Sequence, residues 1–282
     1  MKNSNQKVWF ITGASKGLGL SLVKQLLKEG KNVAATSRTV EDLKKAVGEN
    51  ENFLPLAMNL KNEENVGEAI AKTVNHFGKI DVVVNNAGYG LMGALEELTD
   101  AEAKENFEVN VFGTLNVIRK VLPYLREQKS GHIFNISSIG GFTGAFPGFG
   151  IYCATKFAVQ GLTESLATEV KDFGIKATVV FPGYFRTNFL DQSSVNIPKV
   201  QLKEYENVRN VQSAHENEIN GNQPGDPVKA AKAMISIAER EQPLVHFFLG
   251  QDAYDLAQAK IKTVEKDLED AKELTTSTNF SN

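Results

Sequence analysis

A short apolar run that breaks into closely spaced glycines and resumes at once as a helix admits few folds, and this chain begins with one. Val8-Trp9-Phe10-Ile11 reads as a buried strand, the segment Thr12-Gly13-Ala14-Ser15-Lys16-Gly17-Leu18-Gly19 turns, and Leu18, Leu22, Val23, Leu26 and Leu27 recur at helical spacing. Glycines at 13, 17 and 19 let a backbone come close to a pyrophosphate, which then rests on the positive end of the following helix. The spacing is G-x-x-x-G-x-G and not the G-x-G-x-x-G of the common dinucleotide fingerprint, so the mechanism is met while the letters differ. An ordinary glycine turn is the plain alternative.

The rest of the chain alternates. Strands are expected near 7–11, 32–36, 53–58, 80–84, 131–137, 176–181 and 245–249, with helices near 17–29, 62–77, 99–126, 151–173 and 227–240. That order predicts an α/β fold, a Rossmann-type doubly wound parallel sheet, as a single domain over 1–250 with a C-terminal helical extension over 251–282. Residues 188–225 depart from the alternation; Val200, Leu202, Tyr205, Val208 and Val211 suggest a short amphipathic helix there, read as a substrate lid with Gly221 and Gly225 as hinges. On the extension, Ala257, Ile261, Val264, Leu268 and Ala271 form a stripe expected to pack onto the domain, with a partner subunit as the other reading.

Three further features carry chemistry. The second strand ends in Ser37-Arg38, where an enzyme using NAD usually presents a carboxylate to the ribose 2′-hydroxyl. A guanidinium instead clamps a 2′-phosphate, and Lys16 offers a second cation, so NADP(H) is favoured over a merely solvated arginine. Glu41 and Asp42 read as helix-start residues behind an N-cap at Thr39. Tyr152 and Lys156, four apart, share a helix face. A cation about 4 Å from a phenol at an effective dielectric of about 20 is worth roughly 4 kcal/mol, on the order of three pKa units, which would bring Tyr152 toward neutral-pH proton transfer. Alone, the pair reads equally as a lysine snorkelling past a ring. Third, His132-Ile133-Phe134-Asn135-Ile136-Ser137-Ser138 delivers hydroxyls at the C-terminal end of a strand, where open parallel sheets bind ligands, although strand-terminal serines commonly just close turns.

Together with Asn85-Asn86-Ala87-Gly88, Asn110 in Val109-Asn110-Val111-Phe112-Gly113, and Pro182-Gly183-Tyr184-Phe185-Arg186-Thr187, these motifs make the sequence resemble the short-chain dehydrogenase/reductase family over about residues 7–250, most of all its NADP-type bacterial hydroxysteroid dehydrogenase and carbonyl reductase members. The resemblance implies that Tyr152 donates a proton to the substrate oxygen, Lys156 lowers its pKa and holds the nicotinamide ribose, Ser138 bonds the carbonyl oxygen, and Asn110 anchors a water leading from Lys156 to solvent. It implies a cofactor set of Gly13, Ser15, Lys16, Gly17, Leu18, Gly19, Ser37, Arg38, Asn59, Leu60, Asn86, Ala87, Gly88, Tyr152, Lys156, Pro182, Gly183 and Thr187. Two positions depart from the pattern. Asn59 stands where the family commonly has an Asp toward the adenine amine, and keeps a carbonyl acceptor. Ser138 and Tyr152 are one residue further apart than usual, so Ser137 remains the neighbouring choice, with Ser138 preferred because Ser-Ser-x-x-Gly aligns on Gly141.

The activity implied is NADPH-dependent reduction of a ketone or aldehyde to an alcohol; the reverse reaction on a secondary alcohol or hydroxysteroid is the nearest alternative, and a non-catalytic NADP-binding sensor or scaffold is the alternative from another class. An acyl-carrier-protein reductase is less favoured for want of an evident basic patch. Phe142, Phe146, Phe149, Leu91, Met92, Tyr184, Phe185, Phe189 and Leu190 lie in loops after the motifs and suit a bulky, apolar substrate, unless they only pack loops onto the core. A formal net charge of −3 with interspersed signs offers neither a nucleic-acid stripe nor a membrane patch. One cysteine, Cys153, fits a reducing compartment, and four scattered histidines give no metal site. With no apolar leader before the first strand, the expected location is cytoplasmic. The resemblance also implies a homodimer or homotetramer through helices 99–126 and 151–173.

Overall fold

The computed structural model describes residues 6–191 and 193–280. Its strands in chain order are β1 (Val8–Ile11), β2 (Asn32–Ser37), β3 (Phe53–Ala57), β4 (Val82–Asn85), β5 (Gly90–Leu91), β6 (Gly131–Ile136), β7 (Ile175–Pro182), β8 (Val195–Asn196) and β9 (His246–Leu249). Seven of them form one sheet in the order β3-β2-β1-β4-β6-β7-β9, every pairing parallel. The helices are α1 (Gly17–Lys28), α2 (Val40–Val47), α3 (Glu63–Phe77), α4 (Asp100–Phe107), α5 (Gly113–Gln128), α6 (Gly150–Glu169), α7 (Glu206–Ala214), α8 (Pro227–Glu239), α9 (Gln251–Asp270) and α10 (Lys272–Thr276).

The near-continuous apolar strands are explained by burial on both faces. Alternate residues of β1 enter opposite cores: Trp9 and Ile11 join Leu22, Leu26, Phe134 and Met234 on the side of α1 and α8, while Phe10 joins Ile70, Val83, Val117 and Ile133 on the side of α3 and α5. The chain leaves β1 toward β2 and β3 on one side and toward β4 on the other, so the crevice between the ends of β1 and β4 is a topological switch point.

Four expectations are corrected. The helix expected over 99–126 is interrupted by a π-helical turn at Glu108–Phe112, which buries Asn110. Among the described residues of the extension, only Ala253 and Ala257 are buried, packed with the half-buried Leu256 against Ile139, Phe142 and Phe248; Ile261 is 39%, Val264 40% and Leu268 62% exposed, so the stripe leaves the domain after its second turn. Gly225 is no hinge. A Cβ there would lie 2.7 Å from the Tyr184 carbonyl, and its backbone pairs with Phe185 as an isolated parallel bridge. Thr39 does precede α2, but its hydroxyl donates to the Asp42 carboxylate at 2.6 Å and caps no backbone N–H.

Candidate active site

The loops at the C-terminal edge of the sheet enclose a cavity of about 950 Å³. Every residue expected to hold the cofactor borders it except Gly19, and so does Ser138, while Asn110 is buried beneath it.

The glycine turn after β1 is held by its neighbour after β4. Thr12 accepts from the backbone N–H groups of Asn86 and Ala87, both at 3.0 Å, and the Asn86 amide donates to the carbonyls of Thr12 and Gly13 at 3.0 and 2.9 Å. Gly13 has φ +64° and a Cβ there would meet Ala87 Cα at 2.6 Å; a Cβ on Gly19 would meet the Asn86 amide at 2.5 Å. These two glycines therefore set a close approach between loops, and α1 opens directly at Gly17 with its free N–H groups. At the end of β2, Ser37 donates to the Thr39 carbonyl. Lys16 sits near enough to Arg38 that, after burial, this like charge helps hold its pKa below the usual lysine range, with Asp191 opposing. Two cations held close together are a fitting receptor for a 2′-phosphate. Lys16 also donates to the carbonyl and hydroxyl of Ser193 at 3.0 and 3.1 Å, a tie the sequence did not announce. The Asn59 carbonyl oxygen accepts from the Lys61 N–H at 3.1 Å, one of its two lone pairs.

The reacting end lies on α6 and the loop after β6. Here the neighbouring serines separate: both border the cavity, but Ser137 is buried and donates to the Lys156 carbonyl at 2.8 Å, whereas Ser138 lies beside the Tyr152 phenol and accepts from the Gly140 N–H at 3.1 Å. Lys156 lies 5.7 Å from the centre of the Tyr152 ring and donates to the Ile136 carbonyl at 2.9 Å. The expected lowering of the Tyr152 pKa is reversed. Burial raises it well above its ordinary value and the neighbouring Ser138 hydroxyl only opposes that rise, while burial pushes Lys156 down to about 8. The cost of removing both groups from water outweighs their mutual effect. In the π-helical turn, Asn110 accepts from Tyr89 N–H at 3.1 Å and donates to the Tyr89 carbonyl at 3.0 Å and to Thr155 at 3.1 Å, so its side chain fixes the loop after β4 against α6.

Opposite Tyr152 the wall is aromatic and aliphatic: Met92, Phe149 and Val195 are buried with Phe146, Phe189 and Leu190 packed on them. Residues 188–225 cover this wall. Their attachments are β8 paired with β5, and Glu97, which accepts from Leu202 N–H at 2.7 Å and pairs with Arg209 at 2.6 Å. His215, at the start of the π-helical turn that ends α7, and Gln223 also border the cavity, and neither was among the expected site residues. The signal for His215 was present: it continues the Val208 and Val211 face at helical spacing. Among the described residues no His/Cys/Asp/Glu cluster could hold a metal, and no helix is long and apolar enough to cross a membrane.

A family model described as short chain dehydrogenase matches residues 7–197. The chain is 38% identical over 253 residues to the oxidoreductase BOA17 of Botryotinia fuckeliana, covering 89% of this chain and 91% of that one. It is 36% identical over 239 residues to a 3-ketodihydrosphingosine reductase of Bacteroides thetaiotaomicron, covering 84% and 85%. A short-chain dehydrogenase structure from Streptomyces avermitilis superposes with a TM-score of 0.89 at 34% identity over 98% of this chain and 99% of the other. One from Burkholderia cenocepacia in complex with NADP does so at 0.72 and 25% identity, over 95% and 98%. The cation pair and the glycine cradle suit a nucleotide of the kind that the Burkholderia cenocepacia structure holds.

Proposed function

The chain belongs to the short-chain dehydrogenase family and is an oxidoreductase, and on that premise we propose that it reduces a bulky, mostly apolar ketone or aldehyde to an alcohol with NADPH. The observation that carries this reading is the buried Tyr152, beside Ser138 and with Lys156 5.7 Å from its ring centre, packed among aromatic and aliphatic side chains. When bound, the dihydronicotinamide supplies the hydride. Arg38 and Lys16 would hold its 2′-phosphate end, the turn at 12–19 its pyrophosphate, and Pro182, Gly183 and Thr187 its nicotinamide end.

The chain's own residues then manage one proton. A phenol whose pKa is raised by burial keeps its proton until an alkoxide, a far stronger base, forms beside it. Ser138 donates to the substrate oxygen as charge grows there. Lys156, with a pKa near 8, is still charged at neutral pH and stabilises the phenoxide left behind. Asn110 holds the floor beneath Lys156: a Cβ on Gly88 would lie 2.9 Å from the Asn110 carbonyl oxygen and 3.5 Å from the lysine nitrogen. The 3-ketodihydrosphingosine reductase among the relatives agrees in kind with a keto substrate. Reversed, the same residues oxidise a secondary alcohol; that direction needs the Tyr152 phenoxide as base, whereas burial keeps the phenol protonated.

The test follows NADPH and NADH consumption by absorbance against apolar ketones, aldehydes and quinones. Turnover with NADPH that is lost in Tyr152→Phe supports the reading. Nucleotide binding with no turnover in either direction overturns it in favour of a sensor.

A further inference from the structure

The wall of the cavity around Tyr152 is mostly apolar, and one hydrogen-bonded pair is set into it. Tyr184, in the turn after β7, and His215, on the covering segment, meet with the phenol oxygen 2.9 Å from Nε2. Both border the cavity. The Phe149 ring spans the gap to the reacting end, its centre 6.1 Å from that of Tyr152 and 5.1 Å from that of His215. The pair thus lies one aromatic ring away from the group that faces the reacting carbonyl.

Its protons can be placed. His215 Nδ1 is 2.7 Å from the Val211 carbonyl, which can only accept, so Nδ1 carries a proton. In the neutral ring Nε2 is then an acceptor, and the Tyr184 hydroxyl must donate to it. Burial raises the Tyr184 pKa, with Asp252 and Cys153 adding to the effect, so that the proton stays on the phenol. The Tyr184 N–H in turn donates to Asp252 at 2.6 Å, which anchors the turn independently of the covering segment. What the phenol oxygen has left are lone pairs turned to an apolar space. Gln223, buried on the same wall, also has neither its amide nitrogen nor its carbonyl oxygen bonded among the described residues.

A few convergent polar atoms in an otherwise apolar pocket fix a ligand's orientation. We infer that Tyr184, with its proton committed to His215, accepts a hydrogen bond from a hydroxyl group on the substrate, so that the preferred substrate is a hydroxylated ketone whose hydroxyl lies across the pocket from the reacting carbonyl. The identity of the reacting group rests on the reductase reading above. The selection for a hydroxyl does not, because it is a property of binding.

The experiment measures binding and turnover separately. Two matched pairs, benzylacetone with its para-hydroxylated form and β-tetralone with its ring-hydroxylated form, are titrated calorimetrically into the enzyme saturated with NADP⁺, where ketone and cofactor cannot react. In the unaltered protein the hydroxylated member of at least one pair binds about tenfold more tightly, the ratio for about 1.4 kcal/mol. Tyr184→Phe, which keeps the ring and the fold, brings that ratio to within about twofold of unity and leaves the parent ketone's affinity unchanged. Absence of preference in both pairs, a preference that survives Tyr184→Phe, or an equal loss for both members overturns the inference. NADPH turnover on the same compounds is read in parallel, and its absence alongside an intact binding ratio would fault the reductase reading alone.

Discussion

Lys156 is a charged group almost wholly buried at the edge of the cavity, and that placement has a measurable cost. Burial lowers its pKa from 10.5 to about 8, and at 1.36 kcal/mol per unit this is about 3 kcal/mol of lost stability near pH 7. The sign follows from proton counts. Between pH 8 and 10.5 the unfolded chain binds the lysine proton and the folded chain does not, so the stability of the folded protein rises with pH through that window. The cost is fully present below it and gone above it. Lys156→Met keeps the length of the side chain and removes the charge, but leaves the Ile136 carbonyl without its partner, a loss of about 1 kcal/mol. The variant is therefore expected to be about 2 kcal/mol more stable than the parent near pH 7, while losing reductase activity. Near pH 10 the residual charge cost is below about 1 kcal/mol and the advantage disappears. Urea unfolding of both proteins without nucleotide, at the two pH values, gives the comparison, since groups common to both cancel. A variant less stable near pH 7, or a gap that does not change with pH, would refute the reasoning.

Ser138→Ala is expected to lower kcat about 10²-fold to 10³-fold with little change in melting temperature. Ser137→Ala removes a buried donor to the Lys156 carbonyl and should instead cost about 1–3 kcal/mol in urea unfolding. Arg38→Ala should lower kcat/KM for NADPH about 10-fold to 100-fold while that for NADH stays nearly constant, measured by steady-state kinetics with each nucleotide. Glu97→Ala removes the carboxylate partner of Arg209, leaving its bond to Gln212, and releases the Leu202 N–H, so limited trypsin digestion should cut at Lys199 or Lys203 several-fold faster than in the parent.

What the sequence made legible was the part of the molecule in which local pattern and tertiary context agree. The glycine turn, the alternation and the strand ends all follow from short-range rules; the preference for Ser138 over Ser137 rests on the alignment on Gly141, and the structure ties the Ser137 hydroxyl to the Lys156 carbonyl. The π-helical turn was not legible, because Glu108–Phe112 has the same apolar spacing as the helices on either side; the extra residue is accommodated through long-range bonds from Asn110 to Tyr89 and Thr155. Nor was the pairing of β5 with β8, two residues each and about a hundred positions apart. The C-terminal stripe misled because periodicity reports a face and not what covers it; only Ala253 and Ala257 are small enough and near enough to the domain to be used. The Tyr152 pKa was misjudged because sequence shows the neighbouring charge and hides the desolvation that opposes it.

The bridge between Phe185 and Gly225 gives the covering segment a particular kind of independence. Arg186 N–H bonds the Gly225 carbonyl at 2.9 Å and Gly225 N–H bonds the Tyr184 carbonyl at 3.0 Å, so the chain enters and leaves the segment through one stitched neck. Everything between is a closed loop whose ends stay together whatever its contents. A lineage could replace that loop wholesale, lengthening it, shortening it or rewriting its inner face, while the proton-handling residues on β6 and α6 keep their positions. The neck separates the shape of that wall from the placement of the residues behind it.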